Sequence, residues 1–239
     1  MSEKKKIFFC SLYSNMDIVL EIDKYCVRVG VVGEVTPVVV PVKYEWVGEV
    51  QYLEDHALTK EQAQAVVLEM DKGVLAKYCQ SLGTWLDVEN VLYSLLQRLV
   101  HGAFSELPVN PRRCFVVDHR YSEKLKRAIC SILFEYRAKS VVFVPGGALA
   151  VMGSNRRDGL WVDHTRRVIH KVVDLREIGV YGMDVGIHSI IQKSDIHVRK
   201  TLKENVITAK DTVGCWTACS LYVGEVATGW PEIRKDIFR

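Results

Sequence analysis

A chain of 239 residues that is 49% hydrophobic is long enough to bury one large core or two small ones. Its formal net charge of +3 is too small to mark a nucleic-acid surface, and the clusters Arg112-Arg113 and Arg166-Arg167 read as solvated faces. No apolar run approaches the ~18 residues needed to span a bilayer, so a soluble protein without membrane insertion is expected.

In chain order, Lys4-Lys5-Lys6 precede Ile7-Phe8-Phe9, but Ser11, Ser14, Asn15 and Asp17 interrupt the apolar stretch at once. A solvated basic terminus is expected there, not a signal peptide. The runs Ile18 to Ile22, Cys26 to Val32 and Val38 to Val42, separated by Asp23-Lys24 and by Gly33, predict a three-stranded meander. Residues Lys43 to Asp87 lose that period; Ala63, Val66, Val67 and Met70 carry helical spacing, which predicts a partly helical insertion. Val91, Leu92, Leu95, Leu96, Leu99 and Val100 then predict an amphipathic helix, capped at Asp87 or Asn90 and ended by Pro108 and Pro111. A strand over Cys114 to Val117, a helix capped by Ser122, and a strand over Val141 to Val144 predict a parallel pair with a right-handed crossover. A short helix is predicted over Ala148 to Met152, followed by strands Leu160 to Val162 and Val168 to Val173 around a turn from Asp163 to Arg166. Ser194 is taken as the cap of a helix from Asp195 to Lys203, with Ile196 and Leu202 in the core. A strand Asn205 to Thr208 and a helix from Trp216 to Val226 close the chain. Seven cysteines without a framework spacing predict buried thiols in a reducing compartment, and Cys215 with Cys219 lacks the histidine partners of a zinc site.

Three strands ending in Gly-x-x-Gly, then strand-helix-strand, then a second strand pair with an aspartate at its tip, resemble the plan of actins, heat-shock seventy chaperones and sugar kinases. Arg28-Val29-Gly30-Val31-Val32-Gly33-Glu34 with Pro37 and Pro41 is similar to the actin segment K-x-G-[FL]-A-G-[DE] and its following prolines. Gly159-Leu160-Trp161-Val162-Asp163 resembles the second phosphate strand, and Trp216 with Ser220 falls on W-x-G-G-S. Within the actin-related superfamily, Leu107-Pro108-Val109-Asn110-Pro111 and the unit from Ile129 to Pro145 look like the dynactin pointed-end type. So does Ser189 to Asn205, with Arg199 and Leu202 in place.

The resemblance implies a truncated actin-like α/β fold: residues 1-158 as the first half, with 43-87 replacing the second subdomain, and 159-239 as a reduced second half. Only a short glycine-containing link, Leu175 to Met183, stands where the family inserts a fourth subdomain. An actin-type site holds phosphates between two glycine hairpins, whose amides approach the oxygens closely because no Cβ intervenes. Here Glu21 stands at the aspartate position and Asp23 at a glycine of the first hairpin; the second, Asp163-His164-Thr165-Arg166-Arg167, keeps its aspartate and loses both glycines. Ala209-Lys210 and Ala218-Cys219 replace the adenosine-side glycines. Glu21, Arg28 and Asp163 are therefore the degenerate nucleotide-site candidates, no catalysis or retained ATP is expected, and no sequence spacing places a carboxylate with His119, His164, His170, His188 or His197.

Loss of the second and fourth subdomains implies a cap on the pointed end of dynactin's actin-like filament, cytoplasmic and serving dynein transport. His197, Arg199, Lys200 and Lys203 are the candidate contacts to the filament subunit and other pointed-end subunits. The alternative is a nuclear actin-related subunit of a chromatin-remodelling complex. An enzyme of the same superfold, a small kinase or phosphatase, is disfavoured by the two altered hairpins.

Overall fold

A computed structural model describes residues 14–22, 26–41, 96–97, 100–105, 110–121, 123–226 and 230–238. The expected insertion at 43-87, the caps Asp87, Asn90 and Ser122, and the basic terminus lie outside them.

The chain is a mixed α/β protein built on two mixed sheets. Strands β1 (Ser14–Ile22), β2 (Cys26–Val31) and β3 (Val38–Pro41) form the antiparallel meander that their apolar runs predict. Helical residues at 96–97 and 100–105 follow, with Leu96 and Val100 buried. Strand β4 (Asn110–Asp118) runs parallel to β1, and helix α1 (Glu123–Glu135) crosses over to β5 (Ser140–Pro145), parallel to β4. A final strand β10 (Glu232–Arg234) pairs antiparallel with β5, giving the order β10-β5-β4-β1-β2-β3.

Helix α2 (Gly146–Met152) leads to the second sheet, in which β6 (Gly159–Asp163), β7 (Val168–Val173) and β8 (Arg176–Gly182) form another antiparallel meander. Strand β9 (Val206–Ile207) lies parallel to β6, so the order is β8-β7-β6-β9. Both sheets thus repeat one plan, a meander whose first strand gains a parallel neighbour. Between β8 and β9 come a 3-10 turn (Met183–Val185), helix α3 (Ile187–Gln192) and helix α4 (Ile196–Glu204); helix α5 (Cys215–Val226) follows β9.

Side-chain alternation distributes these strands among three apolar layers. Ile18, Leu20 and Ile22 of β1 face α1 and pack on Ile129, Ile132 and Leu133. Val19 faces the other way, into a layer shared with Phe115, Val144, Leu149 of α2, Trp161 and Val172 of the second sheet, and Trp216 of α5. Leu160, Val162 and Ile169 point to the far side of the second sheet, against Ile190 of α3 and Leu202 of α4. Each such side chain, fully buried, contributes about 1.5–3 kcal/mol from apolar burial. Five cysteines among the described residues are buried, as their apolar surroundings predict.

Three expectations are corrected. The link from Leu175 to Met183 is mostly the strand β8, reached through a turn in which Asp174 and Leu175 have φ 49° and 59°. Two successive positive φ values mark the hairpin turn that matches strand twist, usually written with Asn-Gly or Asp-Gly; here no glycine advertises it. Ser194 does not cap α4, because its hydroxyl donates to Ile190 O at 2.7 Å and closes α3 instead. Ile196 is not core: it opens α4 and is 72% exposed, while Leu202 is buried as expected.

Candidate functional site

Alternation also decides where the candidate residues meet. Glu21 shares the face of Val19 on β1, and Asp163 shares that of Trp161 on β6, so both carboxylates project into the layer between the sheets. There they border a cleft of about 450 Å³, with Arg28, His119, Arg166 and the start of α5 completing its walls. All three nucleotide-site candidates, two from the first hairpin and one distant in sequence, converge on this cleft.

Their charges are engaged within the chain. The β1–β2 register sets Glu21 opposite Arg28, and Arg28 Nη1 donates to Glu21 Oε2 at 2.9 Å. His119, just past β4, shares a 2.9 Å hydrogen bond with the other oxygen, Oε1. Glu21 is 5% exposed, so its carboxylate depends on these two partners for the solvation that water does not supply. Arg28, a degenerate nucleotide-site candidate, is thus the cross-strand partner of Glu21.

At the second hairpin, Asp163 Oδ1 accepts from the amides of Thr165 at 2.9 Å and Arg166 at 3.0 Å, while Oδ2 accepts from Arg166 Nη1 at 3.1 Å. The turn therefore wraps the chain's own carboxylate. Arg167 keeps a left-handed φ of 55° there, a conformation that a glycine adopts freely and a Cβ makes costly.

The Mg²⁺-nucleotide that the resemblance brings to mind does not fit these residues. Its phosphates need free hairpin amides and its metal needs free carboxylate oxygens, yet the amides at Thr165 and Arg166 are taken by Asp163, and Glu21 and Asp163 each bind an arginine. Among the described residues no group of three or more His, Cys, Asp or Glu side chains is arranged to hold a metal. Asp23 lies outside the described residues.

The cleft floor joins the halves of the sequence motif. A Cβ on Gly30 would lie 2.7 Å from Trp216 Cζ2, so the glycine is required for β2 to pass beneath that ring. Trp216 Nε1 donates to Val19 O at 3.1 Å, and Ser220 Oγ donates to Glu34 O at 2.6 Å and accepts from the amide of Gly33. Nearby, Cys215 donates to Gly146 O, and burial, followed by the charge of Glu21, pushes its thiol well up. That thiol is no nucleophile at neutral pH.

Two histidines have carboxylate partners that sequence spacing did not reveal: His119 with Glu21, and His170, whose Nδ1 lies 2.7 Å from Glu177 on β8. His170 Nε2 and the indole nitrogen of Trp161 are buried without a partner among the described residues. Arg166, first read as a solvated face, is the counter-ion of Asp163.

The second candidate lies on the opposite side of the second sheet. Helix α4 buries Leu202 against that sheet and leaves His197, Arg199, Lys200 and Lys203 exposed. Among the described residues no helix is long and apolar enough to cross a membrane. No protein-family model and no curated protein matches the chain.

Proposed function

We propose that the chain is a non-catalytic actin-related subunit of the dynactin type, which caps the pointed end of an actin-like filament. The observation that carries the reading is a contrast in size and exposure. From β8 the chain passes through one 3-10 turn directly into α3, without an inserted subdomain, while the outward face of α4 stays open. A subunit that keeps one filament-facing side and lacks the other accepts one neighbour and offers no site for the next, because a heterologous interface propagates only when both complementary faces exist.

Three further features support an actin-like reading. Both sheets follow the meander-plus-parallel-strand plan. Gly30, Gly33, Trp216 and Ser220, which carry the resemblance, pack on one another. The cleft between the sheets gathers Glu21, Arg28 and Asp163, and their internal pairing supports a role without ATP turnover. In this reading the protein is cytoplasmic and associated with the cytoskeleton, and the filament subunit and other pointed-end subunits are its partners.

Copurification tests the assignment. The tagged chain is expected to recover dynactin's filament subunit and to leave remodeller ATPases behind; recovery of a remodeller ATPase without the filament subunit would replace the cap with the nuclear alternative.

A further inference from the structure

On α4, positions 196, 199, 200 and 203 follow the i, i+3, i+4, i+7 spacing of a single helix face. That face is Ile196, Arg199, Lys200 and Lys203, all exposed, with exposed Lys193 one turn earlier at the end of α3. The opposite face holds Leu202 in the core. A soluble helix ordinarily turns apolar residues inward, and Ile196 at 72% exposure stands in the middle of a cationic stripe. Among the described residues no carboxylate pairs with Lys193, Arg199, Lys200 or Lys203. Arg199 is held at one point only, where its Nε donates to Ser194 O at 2.8 Å, which fixes the guanidinium at the α3–α4 corner with its terminal nitrogens available.

From this face we infer that α4 docks an acidic protein segment, with Ile196 seated in an apolar pocket of the partner and Arg199, Lys200 and Lys203 against its carboxylates. The inference rests on the reading of α4 as the partner face of the cap, and it specifies the partner's chemistry. Charge complementarity selects an acidic occupant. The exposed isoleucine selects a protein over a nucleic acid, since phosphates reward the cations and give Ile196 nothing to bury against, and no aromatic side chain on this face could stack a base. One apolar residue on a helix of nine residues offers too little area to embed in a lipid surface.

The test uses the full chain, labelled, against four probes: dynactin's actin-like filaments, a synthetic helical peptide of glutamates with leucines on one face, duplex DNA, and phosphatidylserine vesicles. Ile196→Ala is expected to weaken filament and peptide binding about tenfold, and the pair Lys200→Glu/Lys203→Glu about 100-fold, with the peptide competing for the filament. Lys200→Gln/Lys203→Gln, which adds no repulsion, is expected to fall between, and circular dichroism checks that every variant is folded. Salt near 1 M, where the screening length is ~3 Å, is expected to remove most of the lysine effect and to leave that of Ile196.

If the peptide binds with this sensitivity and the filament does not bind, the surface stands and the cap fails. If filaments bind all variants equally, the cap stands and this surface is overturned. DNA or vesicle binding that needs the lysines but ignores Ile196→Ala, or failure of every probe to bind the parent chain, overturns the inference as well.

Discussion

In the cleft, Arg28 and Arg166 end on Glu21 and Asp163; on α4, across the second sheet, Arg199, Lys200 and Lys203 end in solvent. The same residue types serve two purposes. In the buried case each cation offsets a carboxylate that would otherwise lack solvation, and the pair consumes the donors and acceptors that a ligand would need. In the exposed case the cations cost little to maintain and keep their binding capacity. Internal pairing thus engages the charge of the cleft, while the charge of the outer helix stays accessible.

The largest expected effect lies where the cleft floor is tied together. Trp216→Ala removes a ring that is 2% exposed and spans β1, β2 and α5, and it should destabilise the fold by about 3–5 kcal/mol in chemical denaturation. A loss below about 1 kcal/mol would show that the two sheets do not depend on that anchor.

Glu21→Gln comes next. It leaves Arg28 and His119 facing a neutral amide, and a loss of about 3 kcal/mol is expected from breaking a buried ion pair on one side. Lys200→Glu/Lys203→Glu, by contrast, should stay within about 0.5 kcal/mol, because both positions are exposed and have no carboxylate partner among the described residues. Equal effects at the two places would erase the distinction between cleft and helix face.

The buried thiols, Cys114 and Cys130 on the α1 side of the first sheet and Cys215 and Cys219 in the layer between the sheets, set a pH limit on stability. Burial pushes Cys130 up to about 12 and raises Cys219, Cys215 and Cys114. Their folded pKa values lie above the unfolded value of about 8.5, so the folded state keeps protons that the unfolded chain releases. The associated stability is fully present below about pH 8.5 and is lost as pH rises from there toward the folded values. Thermal unfolding followed from pH 7 to pH 10, with iodoacetamide labelling in parallel, should show Tm falling only on the alkaline side and the thiols reacting only on unfolding. A flat profile would contradict the burial that raises them.

The smallest expected effect is none at all. ATP with Mg²⁺ should leave Tm unchanged, since a ligand that binds the folded state stabilises it by mass action and, among the described residues, the amides of Thr165 and Arg166 and the carboxylates of Glu21 and Asp163 are already engaged. A clear rise in Tm, or ATP turnover abolished by Asp163→Ala, would mean that these ion pairs open to admit nucleotide.

Much of the first sheet was legible in the sequence because its strands are apolar runs bounded by Gly, Pro and charged turns. The crossover between β4 and β5 followed from the strand-helix-strand order. Strand β8 escaped because Asp174-Leu175 makes a left-handed turn without glycine, and because its own residues include Gly179 and Gly182, which weaken a strand pattern. The Glu21–Arg28 pair was within reach, since the antiparallel pairing of the first two strands sets those two positions opposite each other. The His119–Glu21 bond, between residues 98 apart in sequence, required the β1–β4 pairing to be known. Ile196 is expected in the core as an apolar residue of the helix, yet it stands six residues from Leu202, and at 3.6 residues per turn that separation puts the two on different faces, so Leu202 is buried and Ile196 is exposed.

The cap itself is tested most directly by counting labelled chains on single dynactin filaments by fluorescence microscopy. The account predicts one copy, at the pointed end only, at any excess of added chain. Decoration along the filament length, or growth of a copolymer, would contradict it.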